Sequence, residues 1–134
     1  MKINEDLVIP SLNKSILEGI VDSIEIEEIG SNSNGSYIKF KNGIMICYGR
    51  RTFTCTNSGA VGSLWYDSNR LSFGNFPVAF IEKPFCITQS EGNMCLVEYT
   101  GLSATSPGGG YVMNATKRTN QTQVITFLAI GKWK

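Results

Sequence analysis

The sequence contains no histidine among its 134 residues. This absence excludes the Ser-His-Asp and Cys-His catalytic arrangements, histidine-ligated metal sites and the most common general base. Charged residues are also few, and twelve basic against eleven acidic side chains leave a net charge of +1. Such a balance does not favour nucleic acid or an anionic membrane as a partner. The sequence therefore predicts a protein that is not an enzyme and that uses no cofactor or metal.

Long hydrophobic runs are missing as well. No segment approaches the length needed to span a bilayer, and the polar residues 2–6 do not resemble the start of a signal peptide. We therefore expect synthesis without a signal peptide, folding in a reducing cytosol and no membrane insertion. In that compartment the four cysteines are most simply reduced thiols that pack as small hydrophobes, with a disulfide or a metal site as the alternatives: Cys47, Cys55, Cys86 and Cys95.

What the chain does contain is a series of short segments rich in β-branched and aromatic residues, with turn-forming residues between them. The length suits a single domain, and a hydrophobic content of 42% is enough for a packed core. Together these features predict an all-β, antiparallel, β-sandwich-like fold.

The clearest local signal is a β-hairpin at 35–50. Asn42-Gly43 lies between two β-favouring runs and predicts a type I′ turn, which needs positive φ at both residues. Alternation places Ile38 on one face of the first strand and Ile46 on one face of the second. A hairpin is only marginally stable by itself, so we expect it to belong to a larger sheet, with a further strand at 52–56.

Two features favour contacts beyond a single chain. The last strand, at 123–131, is apolar on both faces, as is typical of a strand at the centre of a structure or at a subunit contact. Near the N-terminus, apolar residues at helical spacing predict a short helix over about 11–22, with a stripe formed by Leu12, Ile16 and Ile20. That stripe is buried either in a three-fold helix bundle or against the chain's own sheet.

These patterns divide the chain into two parts. Residues 1–30 are predicted to form a tail, the short helix and a linking strand, used for trimerisation or attachment. Residues 31–134 are predicted to form the β-sandwich domain.

Three segments resemble the C-terminal domains of bacteriophage tail-fibre proteins. Residues 35–43 have the pattern Gly-x-Tyr-Ile-Lys-Phe-x-Asn-Gly, and an apolar strand then ends in Tyr48-Gly49. Phe-Pro-Val-Ala-Phe follows at 76–80, and Phe-Leu-Ala-Ile-Gly-Lys-Trp-Lys at 127–134 completes the series. The segments stand in the order found in that family, and they extend over nearly the whole chain.

This resemblance implies a homotrimeric, all-β receptor-binding tip, located distally on a phage tail fibre or a phage-tail-like particle and made in the bacterial cytoplasm. The implied partners are further copies of the chain, other tail or baseplate proteins through the N-terminal part, and a bacterial surface component, first of all a polysaccharide. The alternative is a structural fibre-assembly or trimerisation module without a host ligand. A free-standing carbohydrate-binding domain is a third possibility.

Aromatic rings beside amides and charged groups suit sugar binding, because a ring stacks on the sugar while the polar groups bond its hydroxyls. Two polar loops, at 57–70 and 103–111, offer such groups, and loops commonly carry function. If the loops lie side by side, they form one shallow site. The candidate ligand-binding residues are Trp65, Tyr66, Asp67, Asn69, Arg70 and Tyr111. The competing interpretation is that Trp65 belongs to the core.

Overall fold

The computed structural model describes residues 15–18, 25–92, 96–97 and 100–134, and this part of the chain is mostly antiparallel β-structure with almost no helix. The all-β prediction is therefore confirmed. The strands are β1 Ile26–Asn32, β2 Gly35–Phe40, β3 Ile44–Asn57, β4 Gly59–Val61, β5 Leu64–Tyr66, β6 Leu71–Ser72, β7 Phe85–Glu91, β8 Leu96–Val97, β9 Gly109–Gly110, β10 Val112–Asn114 and β11 Arg118–Lys132.

These strands form three sheets. The largest has five strands in the order β1-β2-β3-β11-β7, a second has four in the order β4-β5-β10-β8, and β6 pairs with β9 in a two-stranded ribbon. The double-faced strand predicted near the C-terminus is the C-terminal part of β11, which lies between β3 and β7.

The predicted hairpin is present, with Ile38 directly opposite Ile46, but its turn differs from the type I′ expectation. Gly43 has a φ of +93° and its amide donates to Phe40 O at 3.0 Å, whereas Asn42 does not have a positive φ. A glycine after a tight turn defines the three-residue class of hairpin loop. The Asn42 side chain stabilises this loop by accepting a hydrogen bond from the Ile44 amide at 2.9 Å.

Two strands are longer than the sequence suggested. The strands predicted at 35–50 and 52–56 are joined, since β3 runs without interruption to residue 57. Its partner β11 begins at Arg118, and the pairing is irregular between Arg118 and Gln121, where Asn120 has a φ of +49°. The β3–β11 pair is the longest strand pairing of the large sheet.

The inner face of the large sheet is covered in two parts. Over one half, the irregular segment at 73–84 packs Phe76 and Phe80 onto the sheet, with the two ring centroids 5.1 Å apart and the rings edge to face. Over the other half, the ribbon and the second sheet contribute to a cluster of Cys55, Leu71, Phe73, Val112 and Ile125. This layering gives the sandwich-like arrangement.

Among the described residues, part of the outer face of the large sheet is apolar and exposed. Ile29, Ile38, Ile46, Ile130 and Phe85 lie opposite one another in a row that crosses all five strands. The adjacent row contains Tyr48, Leu128 and Ile87. We call these eight residues the outer apolar face. Phe85 is 71% exposed and Ile29 is 66% exposed.

Cys47 and Cys55 are completely buried and Cys86 is half-buried, in agreement with the expected packing of thiols as small hydrophobes. Burial raises the pKa of the Cys47 thiol to about 11, which makes it a poor nucleophile at neutral pH. Cys95 lies outside the described residues.

Most of the predicted N-terminal helix, at 11–22, also lies outside the described residues. The helical turn at 15–18 is described, and Ile16 and Leu17 are there more than half exposed. β1 passes through residue 30, the expected boundary between the two parts of the chain, because its pairing with β2 starts at Ile26. The division into 1–30 and 31–134 stays a prediction.

Candidate ligand-binding site

The two loops chosen from the sequence do lie side by side. β5 from the first loop pairs with β10, and Leu71 of β6 pairs with Gly110 of β9. The Asp67 amide also donates to Val112 O at 3.2 Å. The segments at 64–72 and 109–114 are therefore joined along two short ladders, which gives a stable base to side chains that project from them.

Trp65 and Tyr66 point to opposite faces of β5, because successive side chains of a strand alternate. Trp65 lies opposite Asn114, whose side chain is buried, so it belongs to the inward face. Tyr66 lies opposite Met113 on the outward face. Both rings are half-buried, but one ligand could not stack on both of them.

Tyr66 and Tyr111 form an aromatic pair on the outward face. Their ring centroids are 6.1 Å apart and the rings are almost perpendicular, at 84°. Gly59 lies directly across from Tyr66, and a Cβ there would be only 2.7 Å from the Tyr66 ring. The missing side chain leaves the Tyr66 ring packed on the backbone, which fixes its orientation.

Trp65 has a different neighbour. The Lys117 ammonium is 5.6 Å from the centroid of the Trp65 ring, within the range of a cation–π contact. The Trp65 carbonyl accepts a hydrogen bond from the buried Asn57 side chain at 3.2 Å. Trp65 therefore lies where the second sheet meets the end of β3, half-buried and outside the two buried clusters.

Asp67 is buried and stabilises its own loop. Its two carboxylate oxygens accept hydrogen bonds from the backbone amides of Thr56, at 2.8 Å, and Asn69, at 2.9 Å. These bonds hold the turn after β5 and set the direction in which Asn69 and Arg70, both exposed, leave the surface.

A small pocket lies beside Arg70. It has a volume of about 240 Å³ and is formed by Arg70, the ribbon residues Leu71, Ser72 and Gly109, and Gly101, Ser106 and Gly108 from the loop before β9. The Arg70 guanidinium donates to Thr100 O at 3.1 Å across one side of the pocket. The sequence indicated Arg70 but not Ser72, Ser106 or the glycines.

The Ser/Thr/Gly-rich stretch before β9, which resembles a flexible turn in sequence, is tied down by hydrogen bonds. Ser103 Oγ accepts from the Ser106 amide at 3.1 Å, and Ser106 Oγ donates to Gly74 O at 2.6 Å. The Phe73 amide donates to Gly108 O at 2.8 Å. Gly108 has a φ of +89°, and a Cβ there would overlap with Thr100 O. Glycine is therefore required for this close approach of two backbones.

Among the described residues, no group of three or more His, Cys, Asp or Glu side chains could hold a metal ion. Within the same ranges, no helix is long and apolar enough to cross a membrane. The site offers aromatic faces, hydroxyls and one guanidinium, which are groups that bind a ligand by stacking and hydrogen bonding.

Two solved structures are similar to this chain. An N-truncated R1-type pyocin tail fibre superimposes with a TM-score of 0.56 and 16% sequence identity, over 88% of this chain and 94% of that one. A longer C-terminal fragment of the P. aeruginosa R1 pyocin fibre matches 98% of this chain with a TM-score of 0.55 and 14% identity, although this chain spans only 37% of that fragment. At these identities the likeness establishes a shared fold. No protein-family model and no curated protein sequence matches the chain.

Proposed function

We propose that this chain is the receptor-binding tip of a phage tail fibre or of a phage-tail-like particle, and that it recognises a bacterial surface saccharide without catalysis. The observation that carries the proposal is the fold, which is shared over 88% of the chain with almost the whole of an N-truncated pyocin tail fibre. The tail-fibre-like segments at 35–49, 76–80 and 127–134 support the same assignment. The protein would then lie at the distal end of the tail, attached to other tail proteins through residues 1–30.

The outer apolar face supports assembly into a homotrimer. One row is apolar across all five strands, and the other is apolar across β3, β11 and β7. The ion pairs Arg50–Glu91 and Lys132–Glu82 involve further residues of these three strands and, in Glu82, of the segment before β7. An apolar centre with a polar rim is the usual composition of a subunit interface. A net charge of +1 leaves little repulsion between identical copies. The number three follows from the resemblance to tail-fibre domains.

The saccharide would bind the outward side of the loops. Tyr66 and Tyr111 would supply ring faces for stacking, and Asn69 and Arg70 would supply hydrogen bonds. Asp67 and Trp65 would stabilise the loop without contacting the saccharide. Each copy would hold its ligand weakly, and three copies acting on one cell surface would raise the apparent affinity by a factor on the order of 10²–10⁴.

The experiment is adsorption of the fluorescently labelled protein to whole cells of a panel of bacterial strains. Tyr66→Ala and Tyr111→Ala are each expected to reduce adsorption to the best-bound strain on the order of tenfold or more, since truncation of an aromatic anchor at the centre of a binding surface costs at least about 2 kcal/mol. Val61→Ala, an exposed apolar residue of β4, is the matched control and should adsorb as the unmodified protein does.

If both tyrosine variants fold, keep the oligomeric state and adsorb normally, these rings are not the receptor site. If the unmodified protein forms trimers but binds no strain of a broad panel, the structural assembly module is the better assignment.

A further inference from the structure

We propose that the pocket beside Arg70 binds a negatively charged group, a carboxylate or a phosphate, carried by the surface saccharide. The inference rests on the proposed function for its ligand, and it adds to that function the charge of the ligand and the place where the charge is held.

The charge of Arg70 is the first observation. In the described part of the chain, exposed cations such as Arg50 and Lys132 are paired with carboxylates. Arg70 belongs to no ion pair there, a property that it shares with the exposed Lys83 and Lys117. Its one described hydrogen bond, to Thr100 O, uses one of the five N–H groups of a guanidinium. The remaining N–H groups of the planar guanidinium can donate two parallel hydrogen bonds to a carboxylate or phosphate.

Arg51 is the useful comparison within the same chain. Its guanidinium is also without a carboxylate among the described residues, but it donates to the carbonyls of Phe73, at 2.9 Å, and Asn34, at 2.7 Å. It also contacts the Phe127 ring at 5.2 Å from the centroid. Arg51 therefore stabilises the fold, whereas Arg70 is exposed and extends over a cavity.

The lining of the pocket is the second observation. Apart from Leu71 and the guanidinium, it consists of two serines and three glycines, with no acidic side chain. Ser72 Oγ accepts from the Gly74 amide at 3.3 Å and keeps its hydroxyl hydrogen available as a second donor for an anion. A cavity of about 240 Å³ is several times the roughly 30 Å³ that one water occupies, which suits one charged group with part of its sugar ring.

The rigidity of the surroundings is the third observation. The buried Asp67 carboxylate fixes the turn that precedes Arg70. On the other side, Gly101 has a φ of +78°, and a Cβ there would be 2.9 Å from the Arg70 guanidinium. The guanidinium is thus placed against bare backbone, and little ordering is required when an anion binds.

The test is biolayer interferometry of the whole chain against three immobilised polymers: polygalacturonate with carboxylates, poly(glycerol phosphate) teichoic acid with phosphodiesters, and neutral dextran. We expect at least one acidic polymer to bind about tenfold or more tightly than dextran, since hydrogen bonds to charged groups contribute on that order. Arg70→Gln should remove this difference, and Arg70→Lys should leave an intermediate one because it retains the charge but not the fork. Lys83→Gln, which removes one exposed charge elsewhere, should leave it unchanged.

The two acidic polymers distinguish the source of the charge: a preference for polygalacturonate assigns a carboxylate, and a preference for teichoic acid assigns a phosphate. Equal binding to all three polymers overturns the inference, and so does unchanged binding by Arg70→Gln. If Arg70→Gln does not fold, binding by the folded Arg70→Lys variant decides, and affinity equal to that of the unmodified chain overturns the inference.

Whole-cell adsorption separates this inference from the proposed function. If Arg70→Gln still adsorbs to cells and the unmodified chain shows no preference for acidic polymers, the proposed function is supported and the anion site is refuted. If binding of an acidic polymer depends on Arg70 but the protein adsorbs to no strain, the anion site is supported and the proposed function is refuted.

Discussion

At the scale of single residues, the candidate site separates into side chains that face a ligand and side chains that hold the loop. In sequence, Asp67 stands beside Trp65 and Tyr66 and resembles a sugar-binding carboxylate. In the structure it is 5% exposed and both of its oxygens bind backbone amides. A buried carboxylate with two such partners stabilises the loop, and its removal leaves those amides without an acceptor.

We therefore expect Asp67→Ala to lower the free energy of unfolding by about 1–3 kcal/mol, because the Thr56 and Asn69 amides lose their acceptor. Urea denaturation followed by tryptophan fluorescence measures the change. Asn69→Ala is the control, since Asn69 contributes its backbone amide and not its side chain to the described bond, and its effect should stay within about 0.5 kcal/mol. A fully stable Asp67→Ala variant would contradict the structural role of this carboxylate.

At the scale of elements, one glycine of β3 makes room for an aromatic ring of the core. Gly49 lies directly opposite Phe127 on the inner face, and a Cβ at Gly49 would be 2.8 Å from the Phe127 ring. That ring is held between Phe76, at 5.9 Å between centroids, and the Arg51 guanidinium. The glycine thus lets the ring lie over the strand.

Gly49→Ala is expected to destabilise the protein by roughly 1–3 kcal/mol, because the added methyl group overpacks a ring that has no room to move. Thermal and urea unfolding measure the effect. Thr54→Ala, at an exposed position of the same strand, should cost less than about 1 kcal/mol. Equal effects of the two substitutions would show that the contact with Phe127 is not tight.

At the scale of the whole molecule, the principal feature within the described ranges is an exposed apolar region on the outer side of the large sheet. Phe85, Ile87 and Ile29 are each at least half exposed, and they lie in rows that continue across the sheet. Scattered exposed apolar residues are ordinary, but continuous exposed patches mark interaction sites. The proposed trimer would bury this face.

Light scattering of the unmodified protein at micromolar concentration should give three times the chain mass of 14.7 kDa. The double variant Phe85→Glu/Ile87→Glu should give a single chain mass, because carboxylates buried in an apolar interface are strongly unfavourable. Val61→Glu, an equally exposed position away from this face, should leave the mass unchanged.

A mass of 14.7 kDa for the unmodified protein would exclude the trimer. A trimeric double variant would place the subunit contact elsewhere.

The sequence by itself determined the hairpin at 35–50 and the double-faced strand near the C-terminus, because turn residues and alternation are local signals. It did not decide whether the two loops of the candidate site lie side by side, which only the pairing of β5 with β10 and of β6 with β9 shows. The tertiary structure decided which face of each strand became the core. β11 is apolar on both faces, so only the segments that fold over one of them, with Phe76 and Phe80, assign Phe127 to the interior and Leu128 to the surface.

Contacts between distant segments also explain why the candidate site differs from the one that the sequence predicted. One of the two backbone amides that bind the Asp67 carboxylate, that of Thr56, comes from another part of the chain, and the sequence does not show that it is near. The glycines at 108–110 are likewise held in place by backbone groups that are distant in sequence. Alternation shows that Trp65 and Tyr66 point apart, but only the packed second sheet shows which one is turned inward. Local patterns specify strands and turns, whereas burial and hydrogen-bond partners arise from contacts between segments that are distant in sequence.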